Sequence, residues 1–121
     1  MIDTNMIGFD GIGAEYATFA SNLDPTSEGK VVKVSASKTV ALAAADDVFH
    51  GKAVKVEKDG AVTTQFKGYV ECVYSGVTDP TIGYTKLSAD ADGGVKVDAT
   101  NGREYLVLFV DTTNKIVGFI L

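Results

Sequence analysis

From residue 14 onward, apolar and polar positions alternate with a period of two along most of the chain, the pattern of half-buried strands. Ala14 to Ala20 predicts a first strand, with Tyr16 and Thr18 on one face and Glu15, Ala17 and Phe19 on the other. A polar loop follows from Ser21 to Gly29, where Pro25 restrains Asp24 to extended backbone. Lys30 to Ser35 resumes as a strand. Val40 to Asp47 is the one stretch with helix propensity, but it is too short to be stable alone. It is read as a strand and a turn, with a single helical turn as the alternative. Ala53–Glu57 and Ala61–Phe66 flank Lys58-Asp59-Gly60, and Asp-Gly supplies the positive φ that a tight hairpin demands. In Tyr69–Tyr74 the alternation puts Val70, Cys72 and Tyr74 on one face and Tyr69, Glu71 and Val73 on the other. Thr78-Asp79-Pro80 marks the next turn, within Ser75–Ile82.

Two runs break the alternation. Tyr105–Val110 and Ile116–Leu121 are almost continuously apolar, joined by Asp111–Lys115. Such runs are buried on both faces, which in a small antiparallel domain requires a central strand or cover from another subunit. Self-association, as a homotrimer, is one way to provide it.

A phrase also recurs. GKVVKVSASKTVALAAADDVFHGKAVKV from Gly29 and GYTKLSADADGGVKVDATNGREYLVLFV from Gly83 each start at a glycine and close a β-prone run on Ser-Ala, Ser35-Ala36 and Ser88-Ala89. Each then passes through a turn, a short alternating run and a second turn into a longer strand. Strand, turn, strand, turn, strand reads as a β-meander. Two of them predict an all-β small barrel or sandwich with an extended N-terminal arm. The organisation expected is an arm over residues 1–13 and a single β-domain over 14–121. Within it, 29–56 and 83–110 form either an internal duplication or two unrelated meanders that share turn chemistry.

At 121 residues the chain fits one domain with a core of its own. Lone Cys72 makes no internal disulfide, and no stretch approaches the ~18 consecutive apolar residues of a membrane helix. A soluble protein without a membrane partner is expected. The net charge of −5, from 16 acidic and 11 basic side chains with the basic ones scattered singly, disfavours binding to a nucleic-acid backbone.

Candidate chemistry is sparse. His50 is the single histidine, so a general base or metal site there would lack partners. Cys72 shares a strand face with Val70 and Tyr74, which predicts a buried, inert thiol. Asp90-Ala91-Asp92-Gly93-Gly94 resembles the opening of a calcium loop but lacks the third oxygen ligand and the distal glutamate; a hairpin turn is the expectation. Gly8-Phe9-Asp10-Gly11-Ile12-Gly13 has three glycines without the preceding strand and following helix of a phosphate loop. No catalytic residue, metal or cofactor is expected. What residues 1–13 do carry is a set of apolar side chains, Ile2, Met6, Ile7, Phe9 and Ile12, among glycines. Such an arm is either ordered by a partner or laid over an edge of its own barrel.

Thr18-Phe19-Ala20-Ser21, Gly29 to Ala36, Val40-Ala41-Leu42-Ala43, Asp47 to Gly51 and Thr64 to Glu71 together resemble the capsid cement, or head decoration, proteins of tailed bacteriophages. The likeness spans residues 16 to 76. It departs at His50, which interrupts the family's Phe-Gly junction, and in the glycine-rich arm. The resemblance implies a non-enzymatic structural protein, made in the host cytoplasm and bound to the outer capsid surface of the virion. Its partner would be the major capsid protein. The arm lies outside the likeness; its own composition, apolar anchors among glycines, makes Ile2, Met6, Ile7, Phe9 and Ile12 the candidate capsid-binding residues. The alternative is a small ligand- or carbohydrate-binding β-barrel, for which Tyr16, Tyr69, Tyr74, Tyr84 and Tyr105 supply aromatics.

Overall fold

The computed structural model describes residues 2–121. Ten strands follow in order: β1 Glu15–Phe19, β2 Val31–Ala36, β3 Thr39–Leu42, β4 Gly51–Val56, β5 Val62–Lys67, β6 Tyr69–Ser75, β7 Gly83–Ala89, β8 Val95–Val97, β9 Arg103–Asp111 and β10 Ile116–Ile120. Helical structure among the described residues is limited to two single 3-10 turns, Thr4–Met6 and Pro25–Ser27. The all-β class expected from the alternation is what the chain adopts, and the Val40–Asp47 stretch is a strand followed by a turn.

The strands sort into two units by sequence. The first five form a sheet in the order β1-β5-β4-β2-β3, and the last five a closed barrel in the order β10-β6-β8-β7-β9. Adding five to each number of the first order gives the second, read around the ring. Even the closing contact corresponds: β6 meets β8 in parallel at Tyr74↔Val95 and Ser75↔Lys96, and β1 runs into a parallel bridge with β3 at Ala20↔Thr39. We refer to the units as the first and second barrels. The segments read as similar in sequence contain β2–β4 and β7–β9, which hold equivalent places. Each barrel also carries an Asp-Pro-Thr at the same point of its path, at Asp24 and Asp79.

The connectivity differs from the expected meander. β4 pairs with β2, and β9 with β7, so the third strand of each set crosses to the far side of the first. The outer edge of the second strand is already taken, by β1 at Ala20↔Thr39 and by β6 at Tyr74↔Val95, which leaves the free edge of the first strand for the third. On the way to β4, residues 43–50 also pair with the end of β7, where Asp46 N–H donates to Ala89 O (3.0 Å) and Ala89 N–H to Asp47 O (2.9 Å). The Asp-Gly hairpin forms between β4 and β5, with Gly60 at φ +91° and its carbonyl accepting from Ser21 Oγ.

Each barrel has its own interior. Val32, Val40, Ala53, Val56 and Val62 fill the first. The second holds Val70, Cys72, Tyr74, Leu87, Val95, Tyr105, Val107, Val117 and Phe119, joined by Val31, Ala43 and Phe49 from the first. Phe49 is fully buried, stacked on Tyr105 at 5.0 Å between ring centres and tilted against Phe119 at 5.9 Å. The linker therefore plugs one barrel with a side chain from the other.

Candidate docking site at the arm

The arm lies across the outer face of the second barrel, and the floor beneath it is built by a glycine. Gly118 sits mid-strand in β10 with its bare backbone turned outward. The Tyr69 ring lies in the space a side chain there would occupy. A glycine in a strand centre weakens it, and a close approach such as this is the usual reason to find one. The Tyr69 hydroxyl donates to Glu71 Oε2 (2.8 Å), and its ring supports Phe9 of the arm at 5.3 Å between centres. Burial pushes the Tyr69 hydroxyl well above the usual tyrosine range, and the bond to Glu71 and the charges of Glu71 and Asp10 add to it.

The root of the arm is fixed by backbone contacts. Tyr69 N–H donates to Ile12 O (3.0 Å). Gly68, at φ +90°, lies so close to Ile12, Gly13 and Ala14 that a Cβ would strike their main chain. The tip is not enclosed: Ile2 is 61% and Met6 76% exposed, and Ile7 and Ile12 are also solvent-facing. Of the five apolar residues singled out in the arm, only Phe9 is half-buried, and it rests on this chain's own barrel.

Beside the arm, an irregularity in β9 brings two more apolar side chains outward. Gly118 pairs with Phe109 while the next residue, Phe119, pairs with Val107, so Leu108 is an extra residue in β9. A bulge of this kind re-aims the side chains that follow it. Leu108 stays half-buried and Phe109 is 39% exposed. Both line a groove of ≈ 460 Å³ together with Ile7 and Phe9 of the arm and Tyr69 and Glu71 of β6. The apolar run Tyr105–Val110 is thus buried only on its inner side, at Tyr105 and Val107, whereas β10, central between β9 and β6, is buried or half-buried throughout. The apolar surface continues to Tyr84 on β7, 72% exposed and paired with Leu106, and to Ile82.

The other candidates have structural duties. His50 Nδ1 accepts from Val34 N–H (2.8 Å), at the point where β4 no longer runs beside β2. The Cys72 thiol is buried, which pushes its pKa up to about 12 and keeps it from being a nucleophile. Asp90 closes a turn, its Oδ1 accepting from Asp92 N–H (2.8 Å) and Gly94 N–H (2.9 Å) and its Oδ2 from Ser75 Oγ (2.9 Å). No protein-family model matches the chain, and no curated protein matches its sequence.

Sequence reasoning found the arm but missed Leu108, Phe109 and Gly118. The only trace of the bulge in the sequence is the loss of alternation across Leu106–Val110, which burial on both faces explains equally well.

Proposed function

We propose that this protein is a capsid decoration protein of a tailed bacteriophage. In this reading it binds the outer surface of the assembled head, reinforces contacts between major capsid protein subunits and has no enzymatic role. The observation that carries the reading is the arm: exposed Ile2, Met6 and Ile7 project from a root anchored to a rigid β scaffold. The sequence resemblance over residues 16–76 points the same way. The filled interiors of both barrels favour this over a ligand-carrying barrel, since their space is taken by Tyr74, Tyr105, Phe49 and Phe119 in one and by valines in the other. Full burial of Ile7 against a partner would contribute about 1.5–3 kcal/mol before ordering costs. Each copy binds weakly, and repetition over a lattice makes the effect large. Association as a homotrimer belongs to the same proposal.

The test is a pelleting assay with purified heads of the phage that encodes the chain. Deleting residues 2–8 removes the exposed tip and keeps the Phe9–Tyr69 contact, so the domain stays folded while co-sedimentation with heads falls strongly. Equal decoration by the truncated and full-length proteins would place docking on the barrels instead. Failure of the full-length protein to bind expanded heads at all would overturn the reading.

A further inference from the structure

The groove between the arm and β9 has a mixed lining: apolar Ile7, Phe9, Leu108 and Phe109 together with Tyr69 and Glu71. Tyr69 and Glu71 are shared with an adjoining depression of ≈ 400 Å³ that also holds Asp10 and Tyr16. Asp10 and Glu71 lie close enough to Tyr69 for both charges to act on its hydroxyl. Among the described residues, neither carboxylate forms an ion pair, whereas Glu15, Glu28, Asp46 and Asp47 of the first barrel all do. Lys52 lines the same depression, but its Nζ is engaged with the backbone carbonyl of Glu71 at 2.6 Å and not with a carboxylate.

We propose that this groove is a docking site for a short segment of a partner protein in which an apolar side chain stands next to a lysine or arginine. The apolar side chain fills the space beside Phe109 and Ile7, and the cation lies against Glu71 and Asp10. Charge complementarity selects this occupant: a neutral apolar segment leaves both carboxylates unanswered at the rim, and an acidic one is repelled. A second copy of the chain is a poor fit for the same reason, since it carries a net charge of −5. The inference does not depend on the capsid reading, because any partner presenting that segment would fit.

The probe is a capped peptide, acetyl-Gly-Leu-Val-Arg-Gly-amide, titrated into the full-length protein by heteronuclear NMR. Its counterpart has glutamate in place of arginine. The arginine peptide should move the amide resonances of Ile7–Phe9, Tyr69–Glu71 and Leu108–Phe109 and leave the first barrel unmoved. The glutamate peptide should bind roughly five- to tenfold more weakly, the scale of one exposed charge pair and its reversal. Glu71→Gln with Asp10→Asn should erase most of that discrimination, with Gln still able to accept from the Tyr69 hydroxyl. Phe109→Ser should abolish binding of both peptides. Equal binding of the two peptides to the wild-type chain, or shifts centred on Tyr16 and Phe66 of the first barrel, would overturn the proposal without touching head binding. So would silence in the groove at millimolar arginine peptide.

Discussion

The two barrels follow one path and put it to different uses. In the first, aliphatic side chains fill a small interior, the ring closes through a single bridge at Ala20↔Thr39, and the linker after β3 reaches out with Phe49. In the second, four large aromatic rings share the core, one of them Phe49 itself, and the ring closes through a ladder. The corresponding linker of the second barrel, Asp98 to Gly102, carries no plug. It folds back on Asp98, whose Oδ1 accepts from Thr100 N–H (3.1 Å) and Asn101 N–H (2.9 Å). The coupling therefore runs one way: the first barrel offers a plug and the second receives it. The outer faces differ as well. The second barrel carries the bulge, the glycine floor and the arm, so the arm and its groove lie over the unit with the larger core.

The sharpest way to break this dependence is Phe49→Ala. It leaves the first barrel's interior untouched and opens a cavity in the second, where Tyr105 and Phe119 lose their neighbour. A loss of about 3–5 kcal/mol is expected from urea unfolding, the range for deletion of a buried phenylalanine side chain. The wild-type chain should unfold in one transition followed equally by tyrosine fluorescence, which reports mainly the second barrel, and by far-UV circular dichroism. Separate midpoints in the wild type would mean that the plug does not couple the barrels.

Next in size is Gly118→Ala. A methyl group there meets the Tyr69 ring, which must swing away and carry Phe9 with it. Overpacking of this kind costs about 1–3 kcal/mol. The diagnostic readout is local: amide exchange should accelerate at residues 5–12 while β2 to β5 keep their protection. Unchanged protection in the arm would show that the arm is not held through Tyr69.

Much of the architecture was legible from residues 14 to 75, because there the chain obeys local rules. The alternation of Tyr69–Tyr74 fixed which face is buried, and Asp59-Gly60 fixed a hairpin, since both depend on neighbours in sequence. The parts that stayed hidden are those that depend on distant partners. Phe49 looks like any apolar residue before a strand, and nothing within ten residues says that it enters another barrel. The strand order is hidden for the same reason, because the outer edges of β3 and β8 are taken by β1 and β6, strands distant in sequence. At the candidate site, the arm's apolar composition was visible, but its docking face required knowing that Gly118 lies opposite Glu71 and Phe109.

Titration separates the barrels by pH. Above about pH 9 the second should weaken first. Burial raises the pKa of Cys72 to about 12, and burial with the bond to Asp79 raises that of Tyr74 to about 12; Tyr69 and Tyr105 are raised too. For such groups the unfolded chain loses protons before the folded one. Stability is therefore complete below the unfolded values, about 8.5 for thiols and 10 for phenols, and is lost as pH rises through the folded ones. In acid the burden is shared. Side-chain and backbone hydrogen bonds hold Asp24 and Asp47 of the first barrel, and Asp79, Asp98 and Asp111 of the second, below the usual carboxylate range. Their contribution is present above the unfolded value near pH 4 and lost as pH falls through the folded values. Amide exchange at pH 10 that rises in β2–β5 before β6–β10 would contradict the assignment.

The smallest effect has the opposite sign and lies in the first barrel. Thr64 on β5 is 3% exposed, and its Oγ1 is buried without a hydrogen-bond partner. A hydroxyl left unsatisfied in a buried site carries its desolvation cost with no bond in return, about 1–3 kcal/mol. Thr64→Val replaces that oxygen with a methyl group of similar volume facing the valines of the first core. The rotamer preferences of the two β-branched residues in a strand are alike, so the backbone need not shift. The variant should be more stable by about 1 kcal/mol, seen as a rise in the thermal midpoint of a few degrees. The gain should appear as slower amide exchange in β4 and β5, with the second barrel's aromatic core and the arm unaffected. A loss of stability in Thr64→Val would mean that the hydroxyl is bonded in solution, through a buried water, and that the first barrel's interior is wetter than its valines imply.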